Sequence, residues 1–173
     1  MGYGLPASIA VCLGGGRRRT VCVDGDGGFQ FNIQELETVA RLGLPIKFFV
    51  LNNDGYASIR TSQANFFGKA GIGCDKDTDL TVPDISKIAG AYGLSAAIIE
   101  DQSDLRQQVR RVLDMPGAVV CDVRVIPNEI RAPRLSSAQR ADGSFVSKPL
   151  EDLWPFLDRE EFLANMIVAP LVE

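Results

Sequence analysis

The sequence predicts an α/β domain of three layers, a doubly wound parallel sheet with helices on both faces. Three observations predict it. Short β-branched apolar runs alternate with segments of helical period. Two of those runs end in glycine- or asparagine-rich loops. The second run is almost unbroken in apolar residues, as expected of a strand buried on both faces.

Residues 5–13 (LPASIAVCL) open the chain with a buried helix, started by Pro6, a residue favoured in a first helical turn, and stopped by Gly14, Gly15 and Gly16. Residues 19–24 (RTVCVD) are apolar and β-branched and read as a buried strand that ends in Gly25-Asp26-Gly27-Gly28. In residues 32–43 (NIQELETVARLG), Ile33, Leu36, Val39, Ala40 and Leu42 recur at helical spacing. Asn32 and Glu35 are placed as a capping pair, and Gly43 as a terminator. After Pro45, residues 46–51 (IKFFVL) form the next strand and run into Asn52-Asn53-Asp54-Gly55. The alternation continues with a helix over 84–92, a strand over 96–99, a helix over 103–113 and a strand over 118–125. Such alternation implies parallel pairing through right-handed crossovers.

Residues 1–126 are thus expected to form one domain and residues 127–173 a tail that packs on it. The tail is marked by Pro127, Pro133, Pro149 and Pro155 and by the loss of any clear period. It should close in a helix beginning at Asp158, with Glu161 completing a capping box and Phe162, Met166 and Ile167 on one side.

Composition removes several classes of function. With a formal charge of −4 and Lys and Arg mixed with Asp and Glu along the chain, no basic face is expected on which a nucleic acid could be neutralised. The absence of histidine takes away the commonest general base, zinc ligand and nucleophile-activating partner, so chemistry must rest on carboxylates, amides, backbone or a cofactor. Cys12, Cys22, Cys74 and Cys121 lack metal-ligand spacing and read as reduced core thiols of a cytoplasmic protein. No run approaches the roughly 20 apolar residues that span a bilayer. A membrane partner is not expected.

The chemistry is expected where strands end. In Gly25-Asp26-Gly27-Gly28, small residues let backbone N–H groups approach an anion at the start of a helix. A direct crossover makes the two strands neighbours, which brings Asp26 and Asn53 to one rim of the sheet. A carboxylate beside phosphate repels it unless a cation stands between them. Magnesium takes about six oxygens, few of them from protein. Asp26, Asn53, a backbone carbonyl near Gly55, phosphate oxygens and water would complete that shell. Taken singly, each loop also reads as an ordinary turn. A dinucleotide fingerprint does not fit, because Gln30 stands where the third glycine would be.

The run MGYGLPASIA followed by GDGGFQFNIQELETVARLGLPIKFFVLNNDGYASIR resembles the diphosphate-binding domain of thiamine-diphosphate enzymes, in the branch of acetolactate synthase. The likeness covers residues 1–124 and implies the thiamin diphosphate-binding fold. It also implies a lyase or transferase acting on carbon–carbon bonds of 2-oxo acids. By that resemblance Asp26 and Asn53 would be side-chain ligands of Mg2+ and the Gly55 carbonyl a main-chain ligand. Gly25, Gly27, Gly28 and Tyr56 would line the diphosphate or thiazolium, and Met1 would prop the bent cofactor. The activating glutamate of the family matches no residue here and is expected on a pyrimidine-binding domain contributed across a dimer interface. The chain is therefore read as a piece of a longer protein, or one of two subunits, inactive alone and forming a homo-oligomer. FAD is expected only in the full-length enzyme. Glu35 and Glu37 read as helix-start residues rather than catalysts.

Two other readings stand beside this one. A receiver-type signalling domain would hold Mg2+ on Asp24 and Asp26, and a non-catalytic remnant of the same fold would serve as an interaction module. Arg131, Arg134 and Arg140 could meet an anionic substrate or a partner domain, the second being favoured.

Overall fold

The computed structural model describes residues 1–68, 71–127, 129 and 132–169. They divide into two compact units, 1–128 and 129–173.

Four strands build the sheet of the first unit: β1 (Thr20–Gly25), β2 (Ile46–Asn52), β3 (Ser95–Ile99) and β4 (Val119–Arg124), in the order β1-β2-β4-β3. All are parallel. Helix α1 (Gly4–Gly14) precedes β1, and between the strands run α2 (Asp26–Gln30), α3 (Leu36–Leu42), α4 (Ala57–Phe67), α5 (Ile85–Ala91) and α6 (Leu105–Asp114). Because alternate side chains of a strand point to opposite faces, β2 feeds both cores. Ile46, Phe48 and Val50 join Cys22 and Val120 under Leu5, Ile9 and Cys12 of α1, Phe29 of α2, Leu36 and Val39 of α3, and Ile85 and Ala89 of α5. On the other face Phe49, Val119, Cys121 and Ile99 pack with Val112 of α6. This is the three-layer α/β arrangement the sequence predicts. Its second face is covered only in part, since Val21 and Val23 of β1 remain 50% and 62% exposed.

All four cysteines are buried and free. Lys47 is also buried in the sheet, where its Nζ donates to the carbonyls of Met115 and Gly117 just past the end of α6. A cation there satisfies carbonyls at and beyond the helix cap and complements the negative end of the helix dipole.

The predicted helix over 32–43 is shorter and its start is built differently. A single 3-10 turn (Ile33–Glu35) leads into α3, and neither Asn32 nor Glu35 makes a side-chain cap. The Asn32 amide is instead donated to the Gly2 carbonyl at 2.6 Å, a tie between distant segments that outcompetes the local cap. The terminator is as expected, with Gly43 in the left-handed region at φ +57°. Helix α5 begins at Asp84, whose side chain accepts the Lys87 N–H. Helices α2 and α4 were not marked by any pattern: α2 contains two glycines and α4 buries no residue.

The second unit holds a hairpin of β5 (Ser137–Gln139) and β6 (Phe145–Ser147) and the helix α7 (Arg159–Asn165). Asp158 caps α7 by accepting the N–H groups of Glu160 and Glu161. Phe162 is buried, but Ile167, expected on the same side, is fully exposed, because the helix ends before it. Arg134 exchanges backbone hydrogen bonds with Trp154 and lays its guanidinium over the indole at 5.0 Å. Arg159 pairs with the buried Asp152 through two hydrogen bonds. Arg131 lies outside the described residues. Among the described residues no helix is long and apolar enough to cross a membrane.

Phe48 is 1% exposed and meets the edge of Phe29 with ring centroids 5.7 Å apart. Phe48→Ala is expected to lower stability by about 3–5 kcal/mol in urea unfolding, from lost burial plus the cavity left behind. A loss below about 1 kcal/mol would mean that this core does not carry the sheet.

Candidate metal and diphosphate site

β1 and β2 lie side by side, with Gly25 in register with Leu51, so both loops leave from the same rim. Asp26 opens α2 and is 1% exposed. Its Oδ1 accepts the Gly27 N–H at 2.8 Å, while Oδ2 accepts the N–H groups of Asn53 at 3.2 Å and Gly55 at 3.0 Å. The carboxylate of the first loop is therefore the anchor around which the second loop folds. The second loop can close on it because Asp54 adopts φ +59° and Gly55 φ +141°. Asn52, at the end of β2, holds the turn from the other side by accepting the Asp54 N–H at 3.2 Å.

Two features make this rim suited to a cation. Burial pushes the Asp26 carboxyl pKa up, and the opposing influences are backbone N–H groups alone, with Asp54 pushing it further up. A cation beside it would supply the missing positive charge. Next to it, the side-chain oxygen of Asn53 is buried and receives no hydrogen bond. A buried acceptor without a partner is costly, and a hard divalent ion is one group that satisfies it. Among the described residues there is no cluster of three or more His, Cys, Asp or Glu that could hold a metal. Any ion here would depend on an amide, a carbonyl, water and ligand oxygens as well as one carboxylate, a donor set that suits Mg2+ and not zinc. The residues fit the group.

The other candidate residues divide into two sets. A Cβ on Gly27 would strike the Tyr56 ring and come within 3.4 Å of the Met1 methyl, so Met1, Gly27 and Tyr56 share one small region. Phe31 tilts against Tyr56 with centroids 6.4 Å apart. Gly25 and Gly28 are engaged differently. The Gly25 N–H is donated to Asp24 Oδ1 at 2.8 Å, and Gly28 packs against the same carboxylate, which also fills the space beside Gly4. Asp24 and Asp26 thus serve different partners, Asp24 the Gly25 N–H and Asp26 the N–H groups of Gly27, Asn53 and Gly55.

Sequence reasoning missed two contributors. Asn52 was read only as part of a turn. Cys74 offers its backbone carbonyl to the Tyr56 N–H at 2.8 Å and sits directly against the Cα of Gly55. A backbone contact leaves no side-chain signal, so only the glycine at position 55 hinted at a close neighbour.

Residues 1–123 match the family model described as thiamine pyrophosphate enzyme, C-terminal TPP binding domain. The chain is 35% identical over 143 residues to the acetolactate synthase large subunit of Pyropia yezoensis, covering 80% of this chain and 24% of that protein. It is 32% identical over 129 residues to acetolactate synthase of Arthrospira platensis, covering 75% of this chain and 22% of that protein. For acetolactate synthase 2, chloroplastic, of Nicotiana tabacum the figures are 34% over 142 residues, 79% and 21%. The chain spans about a quarter or less of the length of these relatives.

Two outcomes follow from this geometry. Gly55→Ala would drive a Cβ into the Cys74 carbonyl at a φ that side chains rarely adopt. Crowding and backbone strain together are expected to cost about 3 kcal/mol in urea unfolding of the chain, and an unchanged midpoint would contradict the described loop. The second concerns Asp122, 1% exposed on β4. Arg124 Nη2 stands 2.8 Å from it, yet neither carboxylate oxygen receives a well-directed hydrogen bond. Burial, only partly offset by Asn52 and Arg124, raises its pKa above the ordinary 3.8. The folded state therefore holds this proton more tightly than the unfolded one. The stabilisation is complete below the unfolded value and is lost as pH rises through the folded value. Asp122→Asn should gain stability relative to the parent between acid and neutral pH, and parallel stability curves would refute that.

Proposed function

The chain belongs to the thiamine pyrophosphate enzyme family as its C-terminal TPP-binding domain, and from that premise we propose that it holds thiamine diphosphate through Mg2+ in an acetolactate synthase-like enzyme. The observation that supports this most directly is the buried Asp26 carboxylate held under the Asn53–Gly55 loop, beside an Asn53 oxygen with no partner. Asp26 and Asn53 would supply side-chain oxygens and Gly55 its carbonyl. The small region shared by Gly27, Tyr56 and Met1 would take the diphosphate and the middle of the cofactor.

When bound, the thiazolium supplies the electron sink for breaking or making a carbon–carbon bond next to a 2-oxo acid carbonyl. The chain's own part is to bind and orient. Asp26 would offset one of the ion's two charges while the same carboxylate fixes the second loop, and Tyr56 lies against Gly27. No titratable side chain of this rim is assigned to proton transfer. The reading therefore includes a pyrimidine-binding domain, from the same or a second chain of a homo-oligomer, that brings the activating glutamate. A small 2-oxo acid is the proposed substrate, with FAD confined to the full-length enzyme. Four free, buried cysteines suit a reducing compartment such as the cytoplasm.

Calorimetric titration tests this reading. Thiamine diphosphate should bind in the presence of Mg2+ and lose that binding when the ion is chelated. Asp26→Asn, which keeps the shape and removes the charge, should weaken binding by roughly tenfold or more. Binding indifferent to Mg2+, or to this substitution in a folded chain, would overturn the assignment.

A further inference from the structure

Helix α4 follows the Asn53–Gly55 loop directly, yet none of its residues is buried. An isolated helix of its 11 residues is marginal in water, so polar ties must fix it. Several of them lead to one turn, residues 72–78. Arg60 Nε donates to Asp75 Oδ2 at 2.9 Å, with the two side chains only 14% and 19% exposed. Arg60 Nη1 also donates to the Pro127 carbonyl at 2.7 Å, just past β4. Gln63 exchanges hydrogen bonds with the backbone of Ile72 at the other end of the same turn.

The turn itself is knotted around one hydroxyl. Thr78 Oγ1 accepts the N–H groups of Cys74 and Asp75 and donates to Asp75 Oδ1 at 2.9 Å. This small rigid piece presents the Cys74 carbonyl to Gly55 and to the Tyr56 N–H. Its side-chain links to α4 near that contact are the Arg60–Asp75 pair and a longer contact of the Cys74 thiol with Gln63 Oε1 at 3.9 Å. A flexible turn would let Gly55 drift from the position in which its N–H meets Asp26.

We infer that Arg60 is a positioning residue for the metal loop: by clamping Asp75 and the Pro127 carbonyl together, it holds the Cys74 carbonyl against Gly55 and Tyr56. Arg60 itself touches neither the Asp26 carboxylate nor the Asn53 amide through any described hydrogen bond, so its effect is transmitted through backbone. The consequence for Mg2+ and thiamine diphosphate rests on the proposed function. The loop geometry does not.

The test therefore has two readouts on the 173-residue chain. Amide hydrogen exchange at Tyr56, followed by NMR without cofactor, reports the Cys74 contact. Calorimetry with Mg2+ and thiamine diphosphate reports binding. Arg60→Gln and the milder Asp75→Asn, which keeps an oxygen for Thr78, should each speed Tyr56 exchange while amides in β2 and β4 keep their protection. Each should weaken binding roughly tenfold. The double variant should be no worse than Arg60→Gln alone, because the link that Asp75→Asn removes is already lost with Arg60. Unchanged Tyr56 exchange in both single variants, or fully additive effects in the double, would overturn the inference. A parent chain that fails to bind would defeat the proposed function and leave the exchange result to judge Arg60.

Discussion

One carboxylate organises the upper rim of this sheet. Asp26 takes three backbone N–H groups, one from its own loop and two from the next. That arrangement makes two loops into one object. It also fixes a cost, because the charge is buried and no described cation offsets it. Burying a charge without a counter-charge is unfavourable, and a site of this kind is most stable when an ion arrives. The rest of the rim is arranged consistently with that imbalance: Asn52 pins the turn, Cys74 backs it, and the Asn53 oxygen is left without a partner.

The two loops meet because of features set far from them. A parallel sheet places the carboxyl ends of neighbouring strands on one rim, and β1 and β2 are neighbours because α2 and α3 link them by a short crossover. Phe48 and Val50 hold β2 under α1, α3 and α5. Helix α4 stands outside this scheme. It is placed by ion pairing and by hydrogen bonds to backbone, and so depends on geometry more than on apolar area.

Much of the fold was legible because burial leaves a periodic record. The runs VCVD and IKFFVL became β1 and β2, and the Asp84 start and Gly43 stop fell where local chemistry required them. Where tertiary demands prevailed, the record misled or was silent. Asn32 looked like a cap and became a strut to Gly2. The segment DGGFQ carries two glycines, poor helix formers, yet forms α2 where Phe29 reaches the core. ASIRTSQANFF has no apolar stripe because α4 buries nothing. At the rim, the spacing of GDG and NN placed Asp26 beside Asn53 and Gly55, as the folded chain also does. The division of labour between Asp24 and Asp26 was not readable, since it depends on the space that Gly4 and Gly28 leave for one carboxylate.

The chain contains a single tryptophan, Trp154, and it sits in the second compact unit beneath the Arg134 guanidinium. Its emission is thus a spectroscopic label for residues 129–173 alone, quenched or shifted when that unit opens. The sheet unit carries only tyrosine and phenylalanine as fluorophores. Melting followed at tryptophan wavelengths therefore reports residues 129–173 alone, whereas far-ultraviolet dichroism reports the backbone of the whole chain, and agreement between them would signify that the two parts unfold as a single cooperative body.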